Sequence, residues 1–180
     1  MSSPQTLAEP DRRAVAAWAA ACAERVLPLF ETEAPTDGRP RDAIARARAF
    51  ACGELTAAEE IRRRFVAGRA AKVVHGPAAV AAARAAAQAA GVAHMGAHAL
   101  GAAAYAVRAA DLAAPDDPDA MAHEIQWQLS IMTYDVRAAL RHLPRVGEDT
   151  AGPLGPGLLG TGVLAEIIAT IQDGLDEDLL

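Results

Sequence analysis

Within GVAHMGAHALGAAAYAVRAAD, residues 91–111, His94 and His98 stand four residues apart, a spacing that places both imidazoles on one face if the segment is a single helix. Tyr105 and Arg108 continue that stripe through Gly101. Two such imidazoles can bind a divalent metal, provided other elements supply one or two more ligands. No acid lies between them, so this is not the HExxH pattern of zinc proteases. With a carboxylate in reach the same pair could do general acid–base work, His94, His98, Glu31 and Tyr105 being the catalytic candidates. The alternative is a pair of packed imidazoles hydrogen-bonded to neighbouring helices, and both readings stay open.

A second polar concentration, Glu24, Arg25, Glu31, Glu33, Asp37 and Arg39, surrounds the end of the first helix and the loop after it. Acids beside arginines form salt bridges on a solvated rim, or a preorganised acidic site if the loop folds over His94 and His98. His123 and Glu124 are adjacent and so point to different faces, while His75 and His142 fit helix C-termini, where the dipole favours a cation. Ser130, the one internal serine, has no G-x-S-x-G context, and the late glycines lack a following Lys-Ser/Thr. Nucleophilic hydrolysis and phosphate-loop chemistry are therefore not expected.

The elements that must position these groups are helices. Of the 180 residues, 47 are alanine and only seven are aromatic; alanine favours helix and disfavours strand, so the chain reads as all-α, a single alanine-rich bundle of six to seven helices. Helix one runs from the Glu9–Asp11 region to Phe30, with Val15, Trp18, Cys22, Val26 and Phe30 inward and a kink or early end at Pro28. Helix two covers Arg41 to Cys52, with Gly53 as a left-handed cap. Helix three, behind the capping box Thr56/Glu59, covers Ala57 to Val74 and buries Ile61, Phe65, Ala58 and Gly68. Gly76-Pro77 separates it from a helix ending at Gly91, and Val92 opens a fifth that runs to Ala113.

The sixth helix starts at Asp116–Asp119 and continues to Leu143 with two apolar stripes, one through Ile125, Leu129, Met132, Val136, Leu140 and Leu143, the other through Trp127, Ile131 and Tyr134. Two stripes ask for two partners, which makes a homodimer an expectation. Residues 1–143 are then the bundle and 144–162 a Gly/Pro-rich linker or loop. Residues 163–180 form a last helix, capped by Thr161, and an acidic tail that docks on the bundle or on a partner chain.

A formal charge of −6, with arginines spread along the helices, argues against nucleic acid. Cys22 and Cys52 make no CxxC or Cys/His cluster, no secretion signal is visible, and no stretch reaches the ~20 apolar residues of a membrane span. A cytoplasmic protein is expected.

Three segments carry a likeness to a known family: DRRAVAAWAAACAERVLPLFE with the following DGRPRDAI, then RARAFACGELTAAEE, then AAARAAAQAAGVAHMGAHALGAAAYAVRAA. Across residues 11–112 they resemble the Imm-5-like family of bacterial immunity proteins, common in actinobacteria, at Trp18, Cys22, Glu24, Asp37, Arg39, Pro40, His94 and His98. Ala21 departs from the acid expected before Cys22, and the chain from Asp116 onward is unmatched. The resemblance implies an all-helical cytoplasmic protein that neutralises a cognate toxin or acts through another protein partner. Glu24, Glu31, Glu33, Asp37 and Arg39 would then be contact residues and no cofactor is expected. The other reading is a small helical enzyme, or a ligand- or metal-binding bundle, in which His94 and His98 line a pocket walled by Trp127 and Tyr134.

Overall fold

The computed structural model describes residues 3–63 and 66–176, the side chains of 61–65 excepted. Eight α-helices occupy them: α1 Glu9–Glu33, α2 Arg39–Ala51, α3 Ala57–Arg63, α4 Pro77–Gly91, α5 His98–Ala113, α6 Ala120–Ser130, α7 Tyr134–Arg141 and α8 Gly162–Asp173, with no strand among the described residues. The centre is α1, α4 and α5, packed on one another. Alanine explains how they meet: Ala79, Ala82, Ala83, Ala86 and Ala89 of α4 and Ala99, Ala102, Ala103 and Ala106 of α5 are all buried, and methyl-sized contacts bring helix axes to the near end of the ~8–10 Å range. α2 covers α1 and α4, α7 lies on α1, and α6 and α8 lie on α5. The few large side chains that fill the remaining space include Trp18, Phe30, Phe50 and Leu100. No helix of the described residues is long and apolar enough to cross a membrane.

Local signals place several ends where the sequence puts them. Gly53 has φ +82, and its N–H donates to Phe50 O at 3.0 Å while that of Glu54 donates to Ala49 O at 2.9 Å, which is the Schellman pattern. Thr56 and Glu59 form the reciprocal capping box, with Thr56 N–H donating to Glu59 Oε2 at 2.8 Å and Glu59 N–H donating to Thr56 Oγ1 at 3.4 Å. Pro77 opens α4 behind Gly76.

Other boundaries differ. α1 passes through Pro28 to Glu33; Pro28 and Glu24, the residue whose carbonyl it leaves without an N–H, are both exposed, where water can take up the lost bond. The expected third helix ends early as α3, and a 3-10 turn at Ala67–Lys72 replaces its second half; Ala58 and Gly68 are exposed rather than buried, while Ile61 and Phe65 lie outside the described side chains. The expected sixth helix is two, broken between Ser130 and Tyr134, with Thr133 Oγ1 accepting Val136 N–H at 3.3 Å to start α7. The buried Arg137 fastens the break: its Nη2 donates to Leu129 O at 2.9 Å, at the end of α6, and its Nη1 to Gly174 O at 3.0 Å, after the end of α8. A cation thus meets the negative ends of two helices.

The Gly/Pro-rich segment after Pro144 lies folded against the N-terminal residues. Gln5, fully buried, donates from Nε2 to Asp149 Oδ2 and to Ala151 O, both at 2.7 Å, and its Oε1 accepts Leu154 N–H at 3.0 Å. α8 buries Leu164, Ile167, Ile168 and Ile171 within the same chain; Thr161 stands at its N-cap position, but its hydroxyl donates to Gly157 O at 3.2 Å instead of capping the helix. Gln5→Ala strands the buried Leu154 N–H and is expected to cost about 2 kcal/mol. Hydrogen exchange at Leu154 checks it: unchanged protection would mean that apolar packing alone holds the segment.

Candidate functional site

The histidine pair does not share a helix. α4 ends at Gly91 and α5 begins only at His98, so His94 sits, itself exposed, in a turn over residues 92–97 whose other members are mostly buried. The N-terminal segment causes the break, since Gly96 N–H donates to Thr6 O and Ala97 N–H to Gln5 O, each at 3.0 Å. Gly96 also permits it, because a Cβ there would meet Leu7 Cδ1 at 2.5 Å. His98 packs over Gly91, where an added Cβ would lie 2.9 Å from its ring, and its Nδ1 lies 2.7 Å from Gln88 Oε1. With an amide oxygen as acceptor, Nδ1 carries the hydrogen. Burial, and secondarily the nearby His94, lowers the His98 pKa to about 4, so the ring is neutral near pH 7. Tyr105, two turns further along α5, is buried and accepts from Arg84 Nη1 at 3.4 Å.

The acidic cluster spreads over separate arginines. Glu24 pairs with Arg48, and Glu31 binds Arg41 through two bonds of 2.8 Å. Asp37 accepts from Arg39 Nε at 2.8 Å and Nη2 at 2.5 Å. That guanidinium holds the Asp37 carboxyl below its usual range. Glu33 Oε2 accepts the backbone N–H of His75 at 3.0 Å and of Gly76 at 3.2 Å, which ties the end of α1 to the start of α4 and lowers the Glu33 pKa through those two bonds. Glu33 therefore marks one end of α4 and His98, on Gln88, the other; twelve residues at 1.5 Å rise set them about 18 Å apart. The acidic loop and the His pair do not meet. Among the described residues no three His, Cys, Asp or Glu side chains gather as a metal-holding group.

A polar cluster that local spacing does not announce joins α1, α5 and α6. Glu124, buried, accepts from Arg25 Nε at 2.8 Å and from Gln128 Nε2 at 3.2 Å; Gln128 Nε2 also donates to Ala103 O at 3.2 Å, and the Gln128 backbone carbonyl accepts Trp18 Nε1–H at 3.0 Å. Arg25 lies 4.2 Å above the Trp127 ring. Burial first, and the Glu124 carboxylate second, push the Cys22 thiol well above its ordinary value, so it is a packing group rather than a nucleophile. The only sequence signal here is the i,i+4 spacing of Glu124 and Gln128, since Arg25 lies 99 residues from Glu124. Trp127 and Tyr134 do not wall a pocket around the histidines: Trp127 lies against Arg25, and Tyr134, first residue of α7, is 80% exposed. An open groove of about 640 Å³ separates α6 from α8, lined by Met121, Ile125, Leu129 and Thr170.

The molecule is thus an all-α bundle built on alanine contacts, with an ion-paired rim and a single partly buried imidazole. Its sequence from residue 5 to residue 135, α1 through the start of α7, matches the family model described as "Imm-5 like putative immunity protein", and the chain belongs to that family. The match runs past residue 112 to take in Glu124, Trp127 and Tyr134. No curated protein and no solved structure gives a significant match.

Proposed function

We propose that this chain is an immunity-type binding protein that neutralises a cognate toxin by forming a complex with it. The observation that carries this reading is the family match over residues 5–135. Within that span the surface offers residue types that dominate protein interfaces: Tyr134 at 80% exposure, Ile131 at 36% and the Arg25–Trp127 stack. A formal charge of −6 suits a basic partner and raises the encounter rate at low salt. Two free cysteines fit a reducing cytoplasm.

The test is co-expression with a toxin encoded beside this chain in its source genome. Growth is expected to be rescued and a stoichiometric complex recovered; Tyr134→Ala is expected to weaken that complex about tenfold or more with no change in melting temperature. Undiminished toxicity together with no complex at micromolar concentration would sink the reading.

A further inference from the structure

A second place on the surface has the chemistry of a ligand site and owes nothing to the rim or to the exposed tyrosine. Where the first half of α4, the second half of α5 and the start of α8 converge, they leave a cleft of about 280 Å³, near the lower edge of the ~300–1,000 Å³ typical of small-molecule sites. Its walls are apolar, with Val80 on α4, Leu112 on α5 and Val163 on α8, and its polar groups are Arg84, Tyr105 and Arg108. The small side chain of Ala81 keeps the α4 wall low, and the i,i+4 spacing of Val80 and Arg84 with the i,i+3 spacing of Tyr105 and Arg108 turns all four inward.

Four observations concern charge and hydrogen-bond donors. Arg84 has no carboxylate partner among the described residues; its contacts are the Tyr105 hydroxyl at 3.4 Å and the Tyr105 ring at 5.7 Å. Arg108 donates from Nη1 to Asp111 Oδ2 at 2.5 Å, and its other guanidinium nitrogen atoms have no hydrogen-bond partner among the described residues. Tyr105 is 4% exposed, and nothing among the described residues accepts its O–H, so a buried donor faces the cleft with its hydrogen unclaimed. α8 begins at this edge with no side-chain cap on its first turn, which adds a positive dipole end to the two guanidinium groups. In a chain of net charge −6, where acids such as Glu24, Glu31, Asp37 and Glu124 each sit on an arginine, this is a local excess of cation and donor next to apolar walls.

We propose that the Arg84–Tyr105–Arg108 cleft binds a small organic anion, a carboxylate carried on a short aliphatic or aromatic body. Its oxygens take the free guanidinium edge of Arg84 and the Tyr105 O–H, and its body lies against Val80, Leu112 and Val163. The site is independent of toxin binding and stands whether or not that reading holds.

Titration calorimetry on the full chain tests this with four probes: hexanoate and benzoate, which have both charge and body, hexan-1-ol, which has the body alone, and inorganic phosphate, which has the charge alone. Hexanoate or benzoate is expected to saturate one site with a Kd below about 10 mM, and to bind about tenfold or more tightly than hexan-1-ol or phosphate. Arg84→Gln is expected to weaken it about tenfold, as is Tyr105→Phe, which keeps the packing and removes only the donor. Arg84 is exposed, so its variant stays folded and circular dichroism can verify this. Absence of saturable binding by both carboxylates overturns the proposal, as does binding that Arg84→Gln leaves within a factor of about two.

Discussion

Phe30→Ala is expected to destabilise the fold by about 3–5 kcal/mol, the upper part of the range for large-to-small changes in a core. Phe30 is 0% exposed in an interior whose most common member is alanine. The cost of such a truncation depends on how far neighbours move into the space, and alanine has no χ angle with which to do so. Backbone shift is the remaining route, and it is blocked on helices already in methyl contact. For a chain of this size each kcal/mol lowers the melting temperature by about 2–4 °C, so calorimetry should record a drop of about 6–20 °C. A loss under about 1 kcal/mol would mean that the end of α1 is not packed as described.

The second large effect is a loss of stability in acid, centred on His98. An unfolded imidazole takes up its proton near pH 6.5, whereas His98 in the fold does so only near 4 because burial opposes the charge. Between those values the unfolded chain binds more protons, so stability falls as pH drops. The contribution is fully present above about pH 6.5 and gone below about 4, a span of about 3 kcal/mol. Chemical denaturation at neutral pH and near pH 4.5, repeated on His98→Gln, measures it: the variant should lose most of the acid sensitivity of the parent. Equal slopes in both proteins would show that His98 is solvated or that other groups dominate.

Legibility followed the range of the interactions. Gly53, the Thr56/Glu59 box and Gly76-Pro77 act within a few residues of themselves, and the sequence placed those ends. The two breaks that matter most for function are written elsewhere in the chain. The turn that lifts His94 off α5 exists because the carbonyls of Gln5 and Thr6 take the amides of Ala97 and Gly96, and α6 stops where Arg137, seven positions beyond its last residue, reaches back to Leu129 O. A helical repeat read along the chain sees neither. The same holds for the polar groups: Glu24 and Glu31 were legible as salt-bridge formers, but their partners Arg48 and Arg41 lie on α2 and became visible only with the α1–α2 pairing. Tyr105 was legible as a polar residue on an alanine-rich face, while the contact of Arg84 with it depends on how α4 and α5 align.

The buried amide of Gln5 also sets an order on the birth of the molecule. Its acceptor function toward Leu154 spans 149 residues, and at about 5–20 residues per second a ribosome needs about 7–30 s to make that much chain. Until then the first turn, and with it the segment that pins residues 96 and 97, has no partner for its side chain. Nascent chains arrested before residue 154 should therefore hold α1, α4 and α5 together while leaving the His94 turn open to protease, and full protection should arrive only when the last sixth of the chain emerges.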